Sequence, residues 1–288
     1  MLFFGSKVPK LSLGTYLVHG EQLFSSVDNA LSIGYRSFDT ARCYENEKEL
    51  GDALKVLLPK YNLAIEDIYI TTKLFPLSVG NASNTIDQQI LESMRFLGRS
   101  YLDLVLIHYP RPMDNSDQDS TNPKTRENIW KNLEKYHKSG IIRNLGVSNY
   151  ETRHIEEIKN YSTLVPAVNQ IEYHPHFQRA QLREYCIKNG IDFQAFSPLG
   201  RQNPILLGAP EITEIASKYG KSPAWIILRW AIQNHVPVVA KSVTSSRLAE
   251  NFEATISTEI VLTEPEMEIL NSLNLDAPYV EDNGWVCL

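Results

Sequence analysis

Short apolar runs alternate with amphipathic helical stretches along almost the whole chain, and this alternation restricts the fold more than any other feature. The run Leu102–Ile107 is apolar on both faces, as in strands that lie between helices and pair in parallel. The other predicted strands are Leu11–Gly14, Ser37–Asp39, 68–72, 144–147, 167–171, 191–196 and 236–240. Eight such units in 288 residues predict a closed (β/α)8 TIM barrel, forming one domain over residues 1–288, with an extra C-terminal helix and a tail.

The same alternation also fits an open doubly wound sheet, which is the alternative architecture for parallel strands. That class usually carries a Gly-x-Gly-x-x-Gly turn, and no such spacing occurs in this chain.

The predicted helices are 21–33, 47–58, 85–97 with Asn84 as its cap, about 128–138, Thr152–Lys159, Ala180–Lys188, 211–218, Pro223–Gln233, 248–254 and a last one opened by a capping box from Thr263 to Glu266. The polar stretch 111–124 follows the fourth strand, where a barrel places an active-site loop.

The composition disfavours several classes of protein. A net charge of −6 argues against a nucleic-acid partner, which usually leaves a basic surface. No apolar run approaches the roughly 20 residues of a membrane-spanning helix, and Cys43, Cys186 and Cys287 show no CxxC spacing. These features predict a reducing, cytoplasmic location and no membrane. No metal is expected, because His174 and His176 lack further ligands at suitable spacing. Cys43 is interpreted as a structural thiol.

Four polar residues close predicted strands or the turns after them: Asp39 and Tyr44, then Lys73, then His108. The carboxyl ends of barrel strands meet at one mouth, so these side chains should form one site. A phenol with a pKa near ~10 is a poor acid at neutral pH, and a Lys73 ammonium beside it should lower that pKa. We therefore expect Tyr44 to protonate a carbonyl oxygen. Asp39 should hold Lys73 charged, and His108 should orient the substrate through a hydrogen bond.

Seven motifs, in order along the chain, carry a resemblance to a known family. They are Asp39-Thr40-Ala41-x-x-Tyr44-x-Asn46-Glu47, Thr72-Lys73-Leu74, Leu106-Ile107-His108, Gly146-Val147-Ser148-Asn149, Asn169-Gln170-Ile171-Glu172, Ser197-Pro198-Leu199-Gly200, and Lys241-Ser242-Val243-Thr244 with Arg247, Glu250 and Asn251. With them the chain resembles the aldo-keto reductases, NADPH-dependent carbonyl reductases on a (β/α)8 barrel, from about residue 8 to 273. The resemblance implies reduction of a small-molecule aldehyde or ketone, the same four catalytic positions and a monomer.

A basic cluster near the last barrel helix points to the cofactor. Lys241 and Arg247 flank the start of that helix, where a phosphate gains main-chain NH groups, the helix dipole and two cations. With the hydroxyls of Ser242 and Thr244, the cluster should favour the 2'-phosphate of NADPH over NADH. Glu250 and Asn251 should approach the adenine. The resemblance assigns the nicotinamide amide to Ser148, Asn149 and Gln170, a stacking ring to Phe196, and further cofactor contacts to Thr15, Asp39, Ser197, Leu199 and Val243.

The substrate pocket is predicted to be aromatic. Tyr16, Phe75 and Tyr109 should line its mouth above Tyr44 and His108; the family commonly carries Trp at those three mouth positions, so a different pocket shape is expected. The loop 201–210 looks shorter than in aldose-reductase-like members, which suggests looser clamping of the cofactor. The tail 285–288 has two interpretations: it folds over the site, or it is a frayed end.

Two other functions are compatible with the sequence. A Schiff-base lyase on the same barrel would use Lys73 as its nucleophile, and this requires a neutral Lys73 unpaired from Asp39. A non-enzymatic NADPH-binding regulatory module would need no catalytic group, and the intact Asp39, Tyr44, Lys73 and His108 argue against it. The sequence does not name the physiological substrate.

Overall fold

The strands close into a parallel barrel in the chain order β1 to β8, so the predicted (β/α)8 fold is confirmed. The computed structural model describes residues 2, 5–78, 85–280 and 284–288. The strands are β1 (Leu11–Gly14), β2 (Ser37–Asp39), β3 (Tyr69–Leu74), β4 (Leu102–Ile107), β5 (Ile142–Ser148), β6 (Val168–Glu172), β7 (Asp192–Phe196) and β8 (Val238–Ala240). Strand β8 returns to β1, with Val239 paired to Ser12, and this pairing closes the barrel.

The helices alternate with these strands on the outside of the barrel. They are α1 (Gly20–Ile33), α2 (Glu47–Leu57), α3 (Ile86–Leu97), α4 (Asn122–Lys138), α5 (Thr152–Lys159), α6 (Ala180–Lys188), α7 (Pro204–Leu207), α8 (Pro210–Tyr219), α9 (Pro223–Gln233), α10 (Ser245–Ile256) and α11 (Glu264–Ser272), with 3₁₀ turns at Arg42–Tyr44, Pro59–Tyr61, Ile65–Asp67, Gly200–Gln202 and Gly284–Val286. Among the described residues, no helix is long and apolar enough to cross a bilayer, and no group of three His, Cys, Asp or Glu could hold a metal ion.

Several element boundaries differ from the sequence expectation, and three of these differences concern β3, α4 and α3. Strand β3 runs on to Leu74, so Lys73 lies inside the strand and not after it. Helix α4 begins at Asn122 instead of near residue 128, because Pro123 suits a first helical turn. The predicted cap Asn84 lies outside the described residues. Thr85 is the observed cap of α3, and its hydroxyl accepts from the Gln88 backbone NH at 3.1 Å.

Alternate residues along a strand belong to two different apolar cores. In β4, Val105 and Ile107 belong to the large core between barrel and helices, whereas Leu104 and Leu106 pack with Val8 and with neighbours on β6 inside the barrel. This alternation follows from the period of two in a strand. The interior is therefore filled with side chains, and a cavity can open only at the carboxyl ends of the strands.

Candidate active site

The turn after β2 is held by two buried polar residues whose roles the sequence reasoning did not assign. Asn46 accepts from the Thr40 hydroxyl at 2.8 Å and donates to the backbone oxygens of Thr15 and Val18 at 2.8 and 3.0 Å. Glu47 accepts from the hydroxyls of Thr72 and Ser93 at 2.6 and 3.0 Å. These bonds tie the 3₁₀ turn Arg42–Tyr44 to strands β1 and β3. They fix where the Tyr44 ring can lie.

Lys73 and Asp39 form a buried ion pair between adjacent strands. The side chains are only 2% and 4% exposed, and the Lys73 ammonium donates to Asp39 and, at 3.1 Å, to the Thr40 carbonyl. Burial by itself would lower the pKa of Lys73, but Asp39 and Tyr44 outweigh it and the net pKa is raised. Lys73 is thus an ammonium, as expected, and Asp39 is its counter-ion.

Tyr44 lies beside this ammonium, but its acidity differs from the expectation. Its hydroxyl is 3.4 Å from Lys73 Nζ. Burial is the larger effect and raises the pKa of Tyr44 to about 12, although the Lys73 charge opposes it. Lys73 therefore lowers the pKa of Tyr44 as expected, but burial outweighs this effect and the net pKa lies above that of a free phenol. Tyr44 is a protonated phenol across the neutral range, which is the form that can give a proton.

His108 completes the group at the end of β4. Its ring lies 5.7 Å from the Tyr44 ring and 4.7 Å from the Phe75 ring, centroid to centroid. Burial and the Lys73 charge keep the pKa of His108 well below its usual value. The imidazole is therefore neutral, and it can donate one hydrogen bond from the nitrogen that carries the proton.

A cavity of about 920 Å³ opens at the carboxyl ends of the strands and connects the predicted catalytic and cofactor residues. Its volume is near the upper end of the roughly 300–1,000 Å³ typical of small-molecule sites. The predicted residues that line it are Tyr16, Asp39, Tyr44, Phe75, His108, Ser148, Asn149, Gln170, Phe196, Ser197, Leu199, Lys241, Ser242, Val243, Thr244, Arg247, Glu250 and Asn251. Lys73 lies behind Tyr44 and does not line it.

Two predicted contact residues lie outside the cavity lining. Thr15 is buried beneath it, and its backbone NH and hydroxyl both donate to the Asp39 carbonyl at 3.0 Å. Tyr109 is 4% exposed; its hydroxyl lies 3.5 Å from Asp117 and the Arg111 guanidinium covers its ring. Thr15 therefore supports Asp39, and Tyr109 supports the loop after β4. Neither side chain forms the wall as expected, because each turns into the framework behind it.

Amide and hydroxyl side chains at the ends of β5 and β6 form one polar wall of the cavity, and Gln194 on β7 supports it from behind. Gln170 donates to Asp39 at 2.9 Å and to Gln194 at 2.9 Å. The Ser148 hydroxyl donates to the Gln170 carbonyl at 2.8 Å, and Asn149 donates to the His108 carbonyl at 3.0 Å. Gln194 was missed in the sequence, although it lies two residues before Phe196 on the same strand face. The fixed amide and hydroxyl groups suit a carboxamide ligand.

The opposite end of the cavity is cationic. Arg201, Lys241 and Arg247 all line it, and burial together with the Arg201 charge lowers the pKa of Lys241. None of the three forms an ion pair within the described part of the chain; Arg247 donates to Gln202 at 3.2 Å. Arg201 was missed because its loop was judged only by length. Three cations at the start of α10 fit a phosphate ligand.

The C-terminal tail is docked beside the site, so neither predicted interpretation holds for the described residues 284–288. Its backbone carbonyls accept from Arg126, Arg153 and His154 on helices α4 and α5. The Leu288 NH donates to the Asp117 carbonyl at 2.8 Å. None of these tail residues lines the cavity, although Val280 does.

Comparison with known proteins shows which family the chain resembles. The model of the Aldo/keto reductase family matches residues 10–275. The chain is 34% identical to chicken (Gallus gallus) aldo-keto reductase family 1 member A1 over 300 residues, covering 97% of this chain and 89% of that one. It is 34% identical to methylglyoxal reductase DkgA of Escherichia coli O157:H7 over 249 residues, covering 86% and 84%. A solved structure of aldose reductase from Schistosoma japonicum superposes with a TM-score of 0.82 at 35% identity, covering 94% and 90%.

A parallel barrel with this site at its mouth defines an oxidoreductase that acts on carbonyl groups. The chain belongs to the aldo/keto reductase family.

The buried ion pair gives a stability prediction. Asp39→Ala should lower the free energy of unfolding by roughly 3–5 kcal/mol, because it leaves the Lys73 charge buried without a partner. Asp39→Ala combined with Lys73→Met should recover most of that loss, since the uncompensated charge is gone. Urea unfolding of the four members of this double-mutant cycle measures it. A double variant no more stable than Asp39→Ala would contradict the role given to the pair.

Proposed function

We propose that the protein reduces the carbonyl group of an aldehyde or ketone to the alcohol with NADPH, and that Tyr44 is the proton donor. One observation carries the proposal. Asp39, Tyr44 and His108 form one wall of the cavity, and Lys73 lies behind Tyr44 in a pair with Asp39. The far end of the same cavity holds Arg201, Lys241 and Arg247. A proton donor and a phosphate-binding end thus belong to one cavity.

The proton transfer follows from the protonation states of the Tyr44 and His108 side chains. The carbonyl oxygen accepts hydrogen bonds from the Tyr44 hydroxyl and from His108, which orient it and polarise the carbonyl bond. NADPH, held by the residues named below, would supply the hydride to the carbonyl carbon. As negative charge develops on the oxygen, Tyr44 gives up its proton, and the Lys73 ammonium 3.4 Å away stabilises the phenolate that remains. The phenolate regains a proton from water.

The residues proposed to bind the cofactor lie at the two ends of the cavity. Gln170, Ser148 and Asn149 would hold the carboxamide, and Phe196 would support the nicotinamide ring. Ser197 and Leu199, on the loop after β7, would contact the linking phosphates. The 2'-phosphate would be held by the residues Lys241, Ser242, Val243, Thr244 and Arg247, with Arg201 as an additional cation, and the adenine by Glu250 and Asn251. The three cations without ion-pair partners among the described residues support NADPH over NADH.

The substrate end is lined by aromatic rings. The Tyr16 and Tyr44 rings lie 5.0 Å apart, and Phe75 packs on His108. This wall suits a small carbonyl compound with an apolar part. The named relatives are reductases of an aldose and of methylglyoxal, and these two compound types belong first in a substrate panel. A monomeric state and a cytoplasmic location stay predictions from the sequence.

The structure does not support Lys73 as a Schiff-base nucleophile. Its ammonium is charged and paired with Asp39, whereas a nucleophilic lysine must be neutral. The remaining alternative is NADPH binding without catalysis. NADPH oxidation followed at 340 nm (a general property of this cofactor) with aldehydes, α-dicarbonyls and sugars separates the two: turnover supports the reductase, and tight binding without turnover supports the regulatory module.

Tyr44→Phe should lower kcat for carbonyl reduction by at least about 100-fold, because general acid catalysis is typically worth 10²–10⁴. The dissociation constant for NADPH should stay unchanged, since the hydroxyl acts on the carbonyl oxygen. Tyr16→Phe is the matched control, removing a hydroxyl from the neighbouring ring, and it should keep kcat within about threefold. Equal losses of turnover and NADPH affinity in Tyr44→Phe would refute the assigned role.

The raised pKa of Tyr44 predicts the pH dependence of reduction. Tyr44 acts in its protonated form, so activity is present below its pKa of about 12 and lost as the pH rises through that value. The kcat/KM for reduction should therefore show no basic limb at about pH 10, where a free phenol ionises. A pH–rate profile measured with saturating NADPH tests this. A decline centred near pH 10 or lower, absent from Tyr44→Phe, would mean that the phenol is more acidic than its burial implies.

Arg247→Ala should weaken NADPH binding by about 10- to 100-fold, because a hydrogen bond to a charged group contributes about 1.5–3 kcal/mol. NADH lacks the 2'-phosphate, so its affinity should change by less than about twofold. Lys221→Ala is the control: that lysine pairs with Glu253 and does not line the cavity. Fluorescence titration of wild type and both variants with NADPH and with NADH measures the six affinities. An unchanged preference in Arg247→Ala removes Arg247 from the phosphate site.

A further inference from the structure

Cys43 contacts His108 in a way that the proposed reaction leaves unused. It lies in the 3₁₀ turn one residue before Tyr44, it lines the cavity, and its Sγ is 3.4 Å from Nδ1 of His108. Throughout the described ranges, this thiol is the one hydrogen-bond partner of the imidazole. The thiol that the sequence suggested to be structural therefore has a specific contact, because it faces Nδ1 of the His108 ring.

Packing already fixes the position of the His108 ring. Phe75 lies over it at 4.7 Å between centroids with a 40° tilt, and Tyr44 meets it edge-on at 5.7 Å and 74°. The backbone of His108 donates to Leu74 at 2.8 Å and accepts from Asn149 at 3.0 Å. None of these contacts distinguishes the two ring nitrogens by hydrogen bonding. The location of the ring proton therefore depends on the partner of Nδ1.

Both members of the contact are neutral. Cys43 is exposed to the cavity, but partial desolvation of its thiol raises the pKa of Cys43 to about 11, although the Lys73 charge opposes this. The pKa of His108 is held well below its usual value. Either the thiol donates to Nδ1 and the ring proton is on Nε2, or Nδ1 donates to sulfur and Nε2 has no proton. An imidazole nitrogen is a good acceptor whereas a thiol sulfur is a weak one, so the first arrangement is favoured.

We propose that Cys43 is a positioning residue that donates its S–H to Nδ1 of His108 and thereby keeps the ring proton on Nε2. The inference rests on the proposed reduction, in which His108 must donate to the substrate. A carbonyl oxygen only accepts, so it binds an Nε2–H and is repelled by a bare Nε2 lone pair. The thiol thus selects the one neutral form of His108 that can act beside the Tyr44 hydroxyl.

The tautomer can be observed directly, without turnover. In protein labelled with ¹⁵N-histidine, long-range ¹H–¹⁵N spectra report which nitrogen of each neutral ring carries the proton, and His108→Gln identifies the His108 signals among the seven histidines. Wild type should show Nε2–H at His108. Cys43→Val, which removes the donor and keeps an apolar side chain, should shift the signals toward the Nδ1–H form. Cys43→Ser, which keeps a donor, should retain Nε2–H.

Kinetics give a second readout that separates positioning from simple packing. Cys43→Val should lower kcat for carbonyl reduction by about tenfold, which corresponds to about 1.4 kcal/mol, with an unchanged dissociation constant for NADPH. Cys43→Ser should restore kcat to within about threefold of wild type. A purely packing role predicts the reverse order, since valine keeps an apolar side chain against the ring whereas serine is polar and smaller. Thermal unfolding of both variants checks that each is folded.

The outcomes for this inference are distinct from those for the proposed function. An Nδ1–H tautomer in wild type, or an unchanged Nε2–H tautomer in Cys43→Val, overturns the role of Cys43 even if the protein is an active reductase. Absence of NADPH turnover in wild type overturns the proposed function, and the spectra still decide where the ring proton is. If Cys43→Val does not fold, the wild-type tautomer and the kcat of Cys43→Ser decide the matter, and a serine variant as slow as Tyr44→Phe counts against the proposal.

Discussion

The ion pair between Asp39 and Lys73 is the interaction on which the site depends. Burying two charges costs several kcal/mol for each ion, and only close pairing with further hydrogen bonds offsets this cost. Thr40 supplies one such bond to the ammonium and Gln170 supplies one to the carboxylate. Because the pair joins β2 to β3 and reaches β6 through Gln170, it couples the geometry of the mouth to the closure of the barrel.

The same pair defines the chemistry of Tyr44. Burial raises the pKa of the phenol, whereas the ammonium lowers it, and burial prevails. The charge on Lys73 therefore does little for the ground state, in which the phenol is neutral. It acts most strongly when phenolate character develops, so its stabilisation is concentrated in the transition state. A permanently acidic tyrosine would lack its proton before the substrate arrived.

The two ends of the cavity differ in their electrostatics for a physical reason. At the catalytic end, the charges of Asp39 and Lys73 compensate each other, and the neutral groups are fixed by hydrogen bonds among themselves, as with Gln170, Gln194 and the Cys43–His108 contact. At the far end, Arg201 and Lys241 repel each other, and an anionic ligand relieves that repulsion. Binding energy is thus concentrated away from the reacting atoms, where it holds a ligand without constraining the chemistry.

The sequence by itself determined the barrel, the order of its strands, and the two groups of polar residues that the strand ends bring together, because periods of two and of 3.6 residues are local properties of the chain. It did not determine which way each side chain turns. The net pKa of Tyr44, the inward turn of Thr15 and Tyr109, the contribution of Arg201, the thiol facing His108 and the docking of the tail were decided by tertiary structure. Each depends on contacts between residues far apart in the chain, and on burial that only the closed barrel creates.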